Sequence, residues 1–370
     1  MNELTSGEFF FIETEKMSEE RKKLGYKVEN KPSYVIQCFE NGIVSKKASA
    51  LINNADVLIV GNASEGLIKP RLKADQLTVY YSERIYKKGY GSIIKWPFRL
   101  VSFYRKYGKF KNSYILCASA YTARDYIING CFVNKAYKWG YFPKDIRYKD
   151  IKTVINKKRK ATILWVGRLI DWKHPEICIE IATRLRQDGL VFNIEIVGTG
   201  AMYEELQKRI ANENLEEYVS LCGAVDSEEV RRKMESASIF LFTSDFNEGW
   251  GAVLNESMNS GCAVVASHAI GSVPFLIKHG QNGLIYENGN TDELYNNVIY
   301  LLENSEHAMR LGENAYYTIT ETWNATEGAK RLLMLFDDLD KSGQSNRYEE
   351  GPCSKAKVIK HNWYNGNRYK

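Results

Sequence analysis

Short runs of β-branched and aromatic residues alternate along this chain with longer segments whose apolar residues recur every three or four positions. The short runs have the length and composition of buried strands, and the longer segments have the period of amphipathic helices. Regular alternation of this kind is typical of α/β folds built on parallel sheets. In the first half of the chain the pattern predicts strands over residues 9–13, 34–38, 57–60, 77–81 and 114–117, followed by a short helix over 122–129.

The alternation is more regular in the second half, where the apolar positions and the turn residues agree. Pro175 is predicted at the first position of a helix, where its missing amide loses no hydrogen bond. The predicted strands cover residues 161–166, 192–197, 219–222, 239–243 and 263–266, and the predicted helices cover 177–189, 201–213, 228–237, a segment through Glu256, and 291–303. This order predicts a doubly wound parallel sheet.

The length of 370 residues favours two domains, because single cores rarely grow so large. We assign residues 1–150 to a first Rossmann-like domain and residues 151–325 to a second, with a basic linker region at 147–160. A helix predicted from 326 to about 340 and the aromatic residues that follow it indicate that 326–370 packs back on the first domain.

Several function classes are disfavoured by composition. No apolar run approaches the roughly 20 residues that cross a bilayer, and no signal peptide opens the chain. The seven cysteines are scattered and none forms a Cys-x-x-Cys pair, which is typical of reduced thiols. We therefore expect a cytoplasmic protein.

The net charge of +6 is unevenly distributed. Residues 86–114 contain eight Lys or Arg and no acid, interleaved with Tyr, Trp and Phe. Basic residues attract anionic lipid headgroups and aromatic rings lie well at the membrane interface, so this segment predicts docking on the inner face of the plasma membrane. The alternative is a solvated face with ordinary packing aromatics. Nucleic acid is disfavoured because no motif for it is present.

Two acids and two bases stand out as candidate chemistry. Glu248 and Glu256 are separated by seven residues, and apolar and small residues surround both. Arg168 follows Gly167 at the end of a predicted strand, and Lys173 comes just before the next helix. Two cations at a helix start can bind a diphosphate, and carboxylates can bind sugar hydroxyls. The alternative for each residue alone is a solvated surface position.

The second half resembles the retaining glycosyltransferases of family 4. The resemblance covers residues 161–304 and rests on motifs that occur in order and with the right spacing. They are Gly167-Arg168-Leu169 with Lys173, Ile196-Val197-Gly198-Thr199-Gly200, Leu221-Cys222-Gly223-Ala224-Val225, Glu248-x7-Glu256, Ser260-Gly261-Cys262-Ala263-Val264-Val265-Ala266, Gly271-Ser272-Val273-Pro274 and Asn282-Gly283. The family implies a GT-B fold, in which two Rossmann-like domains face a cleft and the second domain holds a nucleotide-sugar donor.

The resemblance also implies roles. Arg168 and Lys173 would bind the donor diphosphate, Glu248 the sugar hydroxyls and Glu256 the ribose. Gly167 lets the backbone approach the ligand. The remaining donor-binding positions are the amides of Trp250 and Gly251, near phosphate, and Gly198, Gly200, Ala224 and Val225, near the base. Neither a metal nor a cofactor is implied, and the pair Asp338 and Asp340 is assigned no ligand.

Two features depart from the family. The chain opens without the usual strand and glycine-rich turn, so we expect the first βα unit of the first domain to be missing. Many members also carry a first-domain histidine near the reaction centre, whereas here Glu83 and Arg84 occupy the corresponding loop. We predict that one of them contacts the acceptor or the donor sugar, the alternative being an ordinary salt bridge. His174 is interpreted as a helix cap, and His268 lies near the cleft edge.

The leading hypothesis is a retaining glycosyltransferase that moves a sugar from a nucleotide-diphosphate donor to a lipid-linked or polysaccharide acceptor in bacterial surface polysaccharide biosynthesis. One alternative is a nucleotide-sugar epimerase on the same fold, which needs no acceptor. Another is a glycosyltransferase-like scaffold subunit, which would bind nucleotide without turnover.

Overall fold

The computed structural model describes residues 1–16, 31–38, 42–87, 89 and 95–364. Its first half contains a parallel two-stranded pair, β1–β2, and a parallel four-stranded sheet in the order β3-β4-β5-β6. The strands are β1 (Phe11–Glu13), β2 (Val35–Gln37), β3 (Leu58–Val60), β4 (Thr78–Ser82), β5 (Ser113–Cys117) and β6 (Ala136–Lys138). The helices are α1 (Gly42–Asn54), α2 (Glu65–Lys73), α3 (Trp96–Phe103) and α4 (Thr122–Ile127).

The second half forms one six-stranded parallel sheet with the order β12-β11-β10-β7-β8-β9. Its strands are β7 (Arg159–Val166), β8 (Asn193–Val197), β9 (Val219–Gly223), β10 (Ala237–Phe242), β11 (Ala263–Ser267) and β12 (Leu284–Tyr286). Its helices are α5 (Ile151–Asn156), α6 (Ile177–Gln187), α7 (Tyr203–Asn212), α8 (Ser227–Ser236), α9 (Val253–Asn259), α10 (Val273–Leu276), α11 (Thr291–Glu303) and α12 (Ser305–Tyr317). Two apolar clusters, one on each face of this sheet, form its core, as a doubly wound fold requires.

The linker interpretation of residues 147–160 is wrong for most of that segment. Asp150 accepts a hydrogen bond from the Lys152 amide and caps α5. Ile151 and Ile155 are buried against Tyr316 of α12, and β7 begins at Arg159. The basic residues of this segment dominate its composition, but its few apolar residues decide its structure.

The C-terminal helix α13 (Ala325–Ser342) leaves the second sheet and packs on the first. Its buried face, which includes Leu332 and Leu335, contacts Val79 of β4 and Leu116 of β5. The chain thus crosses between the two sheets twice, before β7 and before α13. The domain bounds themselves stay a prediction.

The carboxyl ends of the two sheets face each other and are in contact. The Ala120 amide, just past β5, donates to the Gly271 carbonyl at 2.8 Å. A Cβ atom on Gly140 would lie 2.2 Å from the Trp250 ring, so only glycine allows this approach. The residues after each strand are therefore gathered at one cleft. Among the described residues, no helix is long and apolar enough to cross a membrane.

Candidate active site at the switch point of the second sheet

The candidate site lies where the strand order of the second sheet reverses. β7 and β10 are neighbours, but the chain continues from β7 to β8 on one side and from β10 to β11 on the other. Loops at the carboxyl ends of two such strands diverge and leave a crevice, which is the usual ligand site of open α/β sheets. Gly167 and Arg168 follow β7 directly, and the loop after β10 carries Glu248.

Lys173 and Glu248 form an ion pair across this crevice. Lys173 Nζ lies 2.5 Å from Glu248 Oε2, and the Ser244 hydroxyl donates to the same oxygen at 3.0 Å. Only 13% of the Lys173 side chain and 11% of the Glu248 side chain are exposed. A carboxylate this deeply buried requires such donors, because an unpaired charge there would be costly. The base and the acid predicted to hold different parts of one ligand are thus in direct contact.

Trp172, which sequence reasoning missed, lies between the two cations. Its ring centroid is 4.8 Å from Lys173 Nζ and 5.9 Å from the Arg168 guanidinium carbon. The Arg168 side chain is exposed and has no acidic partner among the described residues. A planar cation held over an aromatic face at a crevice can still bind a bidentate anion. The adjacency of Trp172 to Lys173 in sequence was the available signal.

The glycines predicted near the donor base have a structural role of their own. A Cβ atom on Gly198, where φ is +140°, would lie 1.8 Å from the Gly167 carbonyl oxygen, and one on Gly200 would lie 2.2 Å from that of Leu169. The loop after β8 therefore runs directly against the loop after β7. The Gly198 amide also donates to the Gly223 carbonyl at 2.8 Å, which aligns the loop after β9. Three loops are locked together by backbone contact.

Ala224 and Val225 follow β9 at the outer end of this locked group. Ala224 is exposed, whereas Val225 packs on the core. The first can contact a ligand and the second supports it. Their role in binding a nucleotide base stays a prediction.

Trp250 anchors the loop that follows Glu248. Its side chain is fully buried and donates through Nε1 to Asn255 at 2.8 Å. Gly251 has φ of +80°, and a Cβ there would lie 2.2 Å from the Phe242 ring. In the described residues, no hydrogen-bond acceptor is recorded for the amides of Trp250 and Gly251. Buried aromatic anchoring thus fixes this loop. All of Trp250 is buried in this arrangement, its amide included, whereas Gly251 is partly exposed, so the Gly251 amide is the better placed of the two to meet an anion.

Glu256 lies on α9 and is half-buried. Burial raises the pKa of its carboxyl, and the charge of Arg231 opposes this only in part. The Arg231 guanidinium donates instead to the Glu256 backbone carbonyl at 3.2 Å. A desolvated carboxylate without a direct side-chain donor in the described part of the chain suits a ligand that brings hydroxyl donors.

The two first-domain candidates have different surroundings. The Glu83 carboxylate accepts from Tyr141 Oη at 2.5 Å and from Lys87 Nζ at 2.7 Å, and 28% of its side chain is exposed. A Cβ on Gly249 would lie 2.0 Å from Glu83 Oε2. Glu83 therefore faces the second-domain loop of Glu248 across the cleft.

Arg84 is enclosed at the domain interface. None of its side chain is exposed. Its Nε lies 3.9 Å from Asp125 Oδ2, and its Nη1 donates to the Phe246 carbonyl at 3.4 Å. Burial raises the pKa of the Asp125 carboxyl, and the amides of Tyr86 and Ile85 and the charge of Arg84 oppose that rise. Of the two predicted residues, only Glu83 offers a surface to a ligand in this arrangement.

A C-terminal segment that includes His361 and Trp363 covers the cleft edge beside His268. This covering was not predicted from the sequence. His268 Nε2 bonds to the His361 carbonyl oxygen at 2.9 Å, and the Trp363 indole donates to Tyr121 Oη at 2.9 Å. The His361 ring is stacked on Phe246 at 4.5 Å. His268 is thus committed to holding this segment.

The described residues contain no group of acidic, His or Cys side chains that could hold a metal ion. The carboxylate of Asp338, on α13, instead accepts hydrogen bonds from Arg347 and Ser345.

His174 does not cap the helix that follows. Its Nδ1 lies 2.8 Å from Glu176 Oε1, and the residue itself, with φ of +52°, follows the short 3-10 turn Asp171–Lys173.

Curated proteins resemble this chain over part of its length. This chain is 29% identical to the uncharacterized glycosyltransferase MJ1069 of Methanocaldococcus jannaschii over 192 residues. That segment is 52% of this chain and 48% of MJ1069. It is 35% identical to the amylovoran biosynthesis glycosyltransferase AmsK of Erwinia amylovora over 137 residues. That segment is 36% of this chain and 33% of AmsK. The chain therefore spans less than half the length of either relative.

The fold as a whole matches solved GT-B structures. The crystal structure of Anabaena HepE (Alr3699) in complex with UDP superposes with a TM-score of 0.62 at 16% identity, over 82% of this chain and 86% of that chain. The predicted GT-B fold is confirmed. The model of the glycosyl transferases group 1 family matches residues 147–318, which contain the switch-point crevice. This segment of the chain is accordingly similar to the glycosyl transferases of group 1.

Proposed function

We propose that this chain is a retaining glycosyltransferase that transfers a sugar from a nucleotide-diphosphate donor to a lipid-linked or polysaccharide acceptor. The contact that carries the proposal is the ion pair between Lys173 and Glu248, 2.5 Å apart at the switch point. It lies beside the exposed Arg168. This arrangement offers cations to a diphosphate and a carboxylate to the adjoining sugar, in the order in which a nucleotide sugar presents them.

Catalysis would follow from charge and position. Cleavage of the sugar–phosphate bond leaves negative charge on the departing diphosphate, and Arg168 with Lys173 would stabilise that charge. The Gly251 amide would add to that stabilisation. The family of resemblance has no agreed covalent nucleophile, so we favour displacement on one face of the sugar, with the leaving phosphate accepting the proton of the acceptor hydroxyl.

Glu83 is the first-domain residue best placed to meet the acceptor. Its carboxylate is partly exposed and lies against Gly249, next to Glu248. Tyr141 and Lys87 fix its orientation. We propose that it accepts a hydrogen bond from an acceptor hydroxyl or from the donor sugar.

The pathway and the location are part of the same proposal. AmsK, which is similar to this chain over 137 residues, is by name an amylovoran biosynthesis glycosyltransferase. We place this chain in bacterial surface polysaccharide biosynthesis, on the cytoplasmic face of the plasma membrane. Supporting this, α3 exposes 78% of Phe98 and 51% of Val101, and Tyr104, just beyond it, is 56% exposed. Basic residues flank that apolar face, which suits an anionic lipid surface.

The testing experiment is a titration of the full chain with UDP, GDP, ADP and the corresponding monophosphates. We expect one diphosphate to bind, and Arg168→Ala to weaken it about tenfold while weakening its monophosphate less. Arg184→Ala is the matched control, because Arg184 also lies over an aromatic ring, that of Tyr295, but on α6. Equal losses for both nucleotides would remove the diphosphate assignment.

The stereochemical part is tested separately once a donor is found. The anomeric configuration of the first-formed product is read by NMR. A product with the configuration of the donor supports retention, and the inverted anomer would refute it.

A further inference from the structure

A second cavity, of about 420 Å³, lies where β6 of the first sheet meets α10 of the second domain. Its size falls within the usual range of small-molecule sites. Trp250 separates it from the crevice, because the Trp250 ring lies 6.3 Å from that of Phe275 and 5.8 Å from that of Trp323, and both of these line the cavity. The cavity is therefore distinct from the donor site proposed above.

Positive charge is in excess around this cavity. Lys138, Lys278 and Arg331 line it, and Lys357 lies nearby. Burial lowers the pKa of Lys138; the charge of Glu350 opposes this, and the charges of Lys357 and Lys278 add to the lowering. Two carboxylates offset these four cations. Glu350 binds Lys278 at 2.5 Å, and Glu327 binds Arg331 at 2.7 Å.

Two of these four cations, Lys138 and Lys357, have no ion pair among the described residues, and of the two only Lys138 lines the cavity. Lys138 is partly buried at the end of β6, and no carboxylate in the described part of the chain lies within ion-pair distance of its Nζ. Its Nζ lies 5.5 Å from the centroid of the Phe275 ring, which is stacked nearly parallel to Trp323. An ammonium group in such a place is poorly stabilised by the protein alone and favours an anion from solution.

The remaining wall indicates what carries that anion. Gln281 presents an exposed amide and Thr322 a hydroxyl, and Asn314 lies beside them with its amide nitrogen donating to the Gln281 backbone carbonyl at 2.7 Å. A flat aromatic face beside amides and a hydroxyl is the environment that a sugar ring meets in protein sites, since its C–H face is apolar and its edge is polar. We propose that this cavity binds an anionic saccharide, that is, a sugar unit bearing phosphate or carboxylate, with the charged group at Lys138 and Lys278.

The saccharide has two possible sources, a free sugar phosphate or one unit of an anionic polysaccharide. The second source would deepen the proposed function, because it would make the cavity an anchoring site for the acceptor. The inference itself, however, needs only binding. It therefore stands or falls independently of turnover.

The experiment is calorimetric titration of the full-length Arg168→Ala variant, whose donor site is weakened, with glucose 1-phosphate, with a short oligogalacturonate and with neutral maltotriose. We expect at least one anionic probe to bind and maltotriose not to. Lys138→Met combined with Lys278→Ala should weaken that binding about tenfold. Lys138→Met keeps the stem and removes an unpaired charge, so folding should be retained. Lys341→Ala, which removes an exposed lysine on α13, is the control.

The outcomes separate the alternatives. Binding of glucose 1-phosphate indicates a free sugar phosphate, and binding of the oligogalacturonate alone indicates a polymer. No binding of either anion, equal binding of maltotriose, or binding unchanged by the double substitution would overturn the inference. A UDP titration of the unmodified chain is run in parallel, so that failure of the proposed donor site is distinguished from failure of this cavity.

Discussion

At the scale of single residues, Glu248 combines a structural contact with a predicted chemical one. Its carboxylate balances Lys173 inside the crevice, and Ser244 donates to the same oxygen. A donor sugar would have to share that carboxylate, and its diphosphate would take over part of the interaction with Lys173. Binding of the nucleotide and catalysis on the sugar should therefore respond differently to changes at this residue.

Glu248→Gln keeps the shape of the side chain and removes its charge. We expect kcat to fall about 100-fold, the range seen when one preorganised transition-state contact is lost. Affinity for the nucleoside diphosphate should change only a few-fold, because Arg168 and Lys173 remain. Steady-state kinetics and a nucleotide titration measure the two effects. Glu204→Gln, an exposed change on α7, serves as control. Equal losses in both measurements would show that Glu248 does not act on the sugar.

Single residues also show the limits of inference from sequence. The charged residues of the crevice could be predicted because their types and spacing are specific to a ligand. The burial of Arg84 could not, because it depends on Tyr121 from the first domain and Phe246 from the second, which enclose its guanidinium group at 4.9 and 5.8 Å. Such tertiary contacts leave no local pattern.

At the scale of elements, the loops after β7, β8 and β9 act as one unit because glycines let their backbones touch. Gly198 and Gly223 both have positive φ, but their surroundings differ. A Cβ on Gly198 would lie 1.8 Å from the Gly167 carbonyl oxygen, whereas a Cβ on Gly223 would meet nothing within 4 Å. Substituting each of these two glycines therefore measures backbone strain alone at Gly223, and backbone strain together with a steric clash at Gly198.

Gly223→Ala should cost about 1 kcal/mol in free energy of unfolding, from its left-handed conformation alone. Gly198→Ala should cost at least about 3 kcal/mol, because the β7 and β8 loops must also separate. Denaturant unfolding of both variants measures the difference. Similar losses for the two would mean that the loops after β7 and β8 are not in contact.

α3 makes a second prediction at this scale. Its exposed apolar face should enter an anionic bilayer interface, so Phe98→Ser with Val101→Ser should reduce partitioning onto anionic vesicles at least about tenfold. Val191→Ser is the control, because Val191 is 86% exposed but lies in the second domain. Cosedimentation with vesicles that contain phosphatidylglycerol measures partitioning. Sedimentation unchanged by the double substitution would contradict docking through α3.

The elements themselves could be predicted where apolar runs are long. The strands of the second sheet were predicted except β12, and β6 was also missed. Both are three residues long, and β6 reads Ala-Tyr-Lys, which has no hydrophobic periodicity. Strands this short are defined by the neighbours with which they pair. The helix α5 was missed because its basic flanks resemble a linker.

At the scale of the whole molecule, the C-terminal segment joins the two domains. Residues 351–356 run beside β6, where Cys353 and Ser354 exchange backbone hydrogen bonds with Lys138. The chain then reaches the second domain, where Tyr364 Oη donates to the Ile285 carbonyl at 2.7 Å. His361 stands between these attachments and contacts both domains at once. The relative orientation of the domains therefore depends in part on one histidine.

His361 makes this tie sensitive to acid. Its Nε2 faces the Arg84 guanidinium at 3.0 Å and must accept a hydrogen bond, which requires the neutral ring. Burial, and then the charges of Arg84 and Arg124 and of nearby His268, lower the pKa of His361 to about 4. The unfolded chain, with a histidine pKa near 6.5, binds the proton first as pH falls. Stability is therefore unaffected above pH 6.5 and decreases as pH falls toward 4.

His361→Gln supplies a side-chain oxygen to Arg84 that does not titrate. We expect the apparent Tm of the unmodified chain to fall between pH 7 and pH 5 by on the order of 2 °C more than that of the variant. Differential scanning fluorimetry at both pH values measures this. His307→Gln, at a histidine whose ring bonds to Tyr300 Oη at 2.6 Å far from the cleft segment, is the control. His268, whose pKa burial also lowers, remains in both proteins, so part of the acid sensitivity should persist in the variant. If the variant and the unmodified chain lose the same Tm on acidification, His361 does not hold the domains together through Arg84.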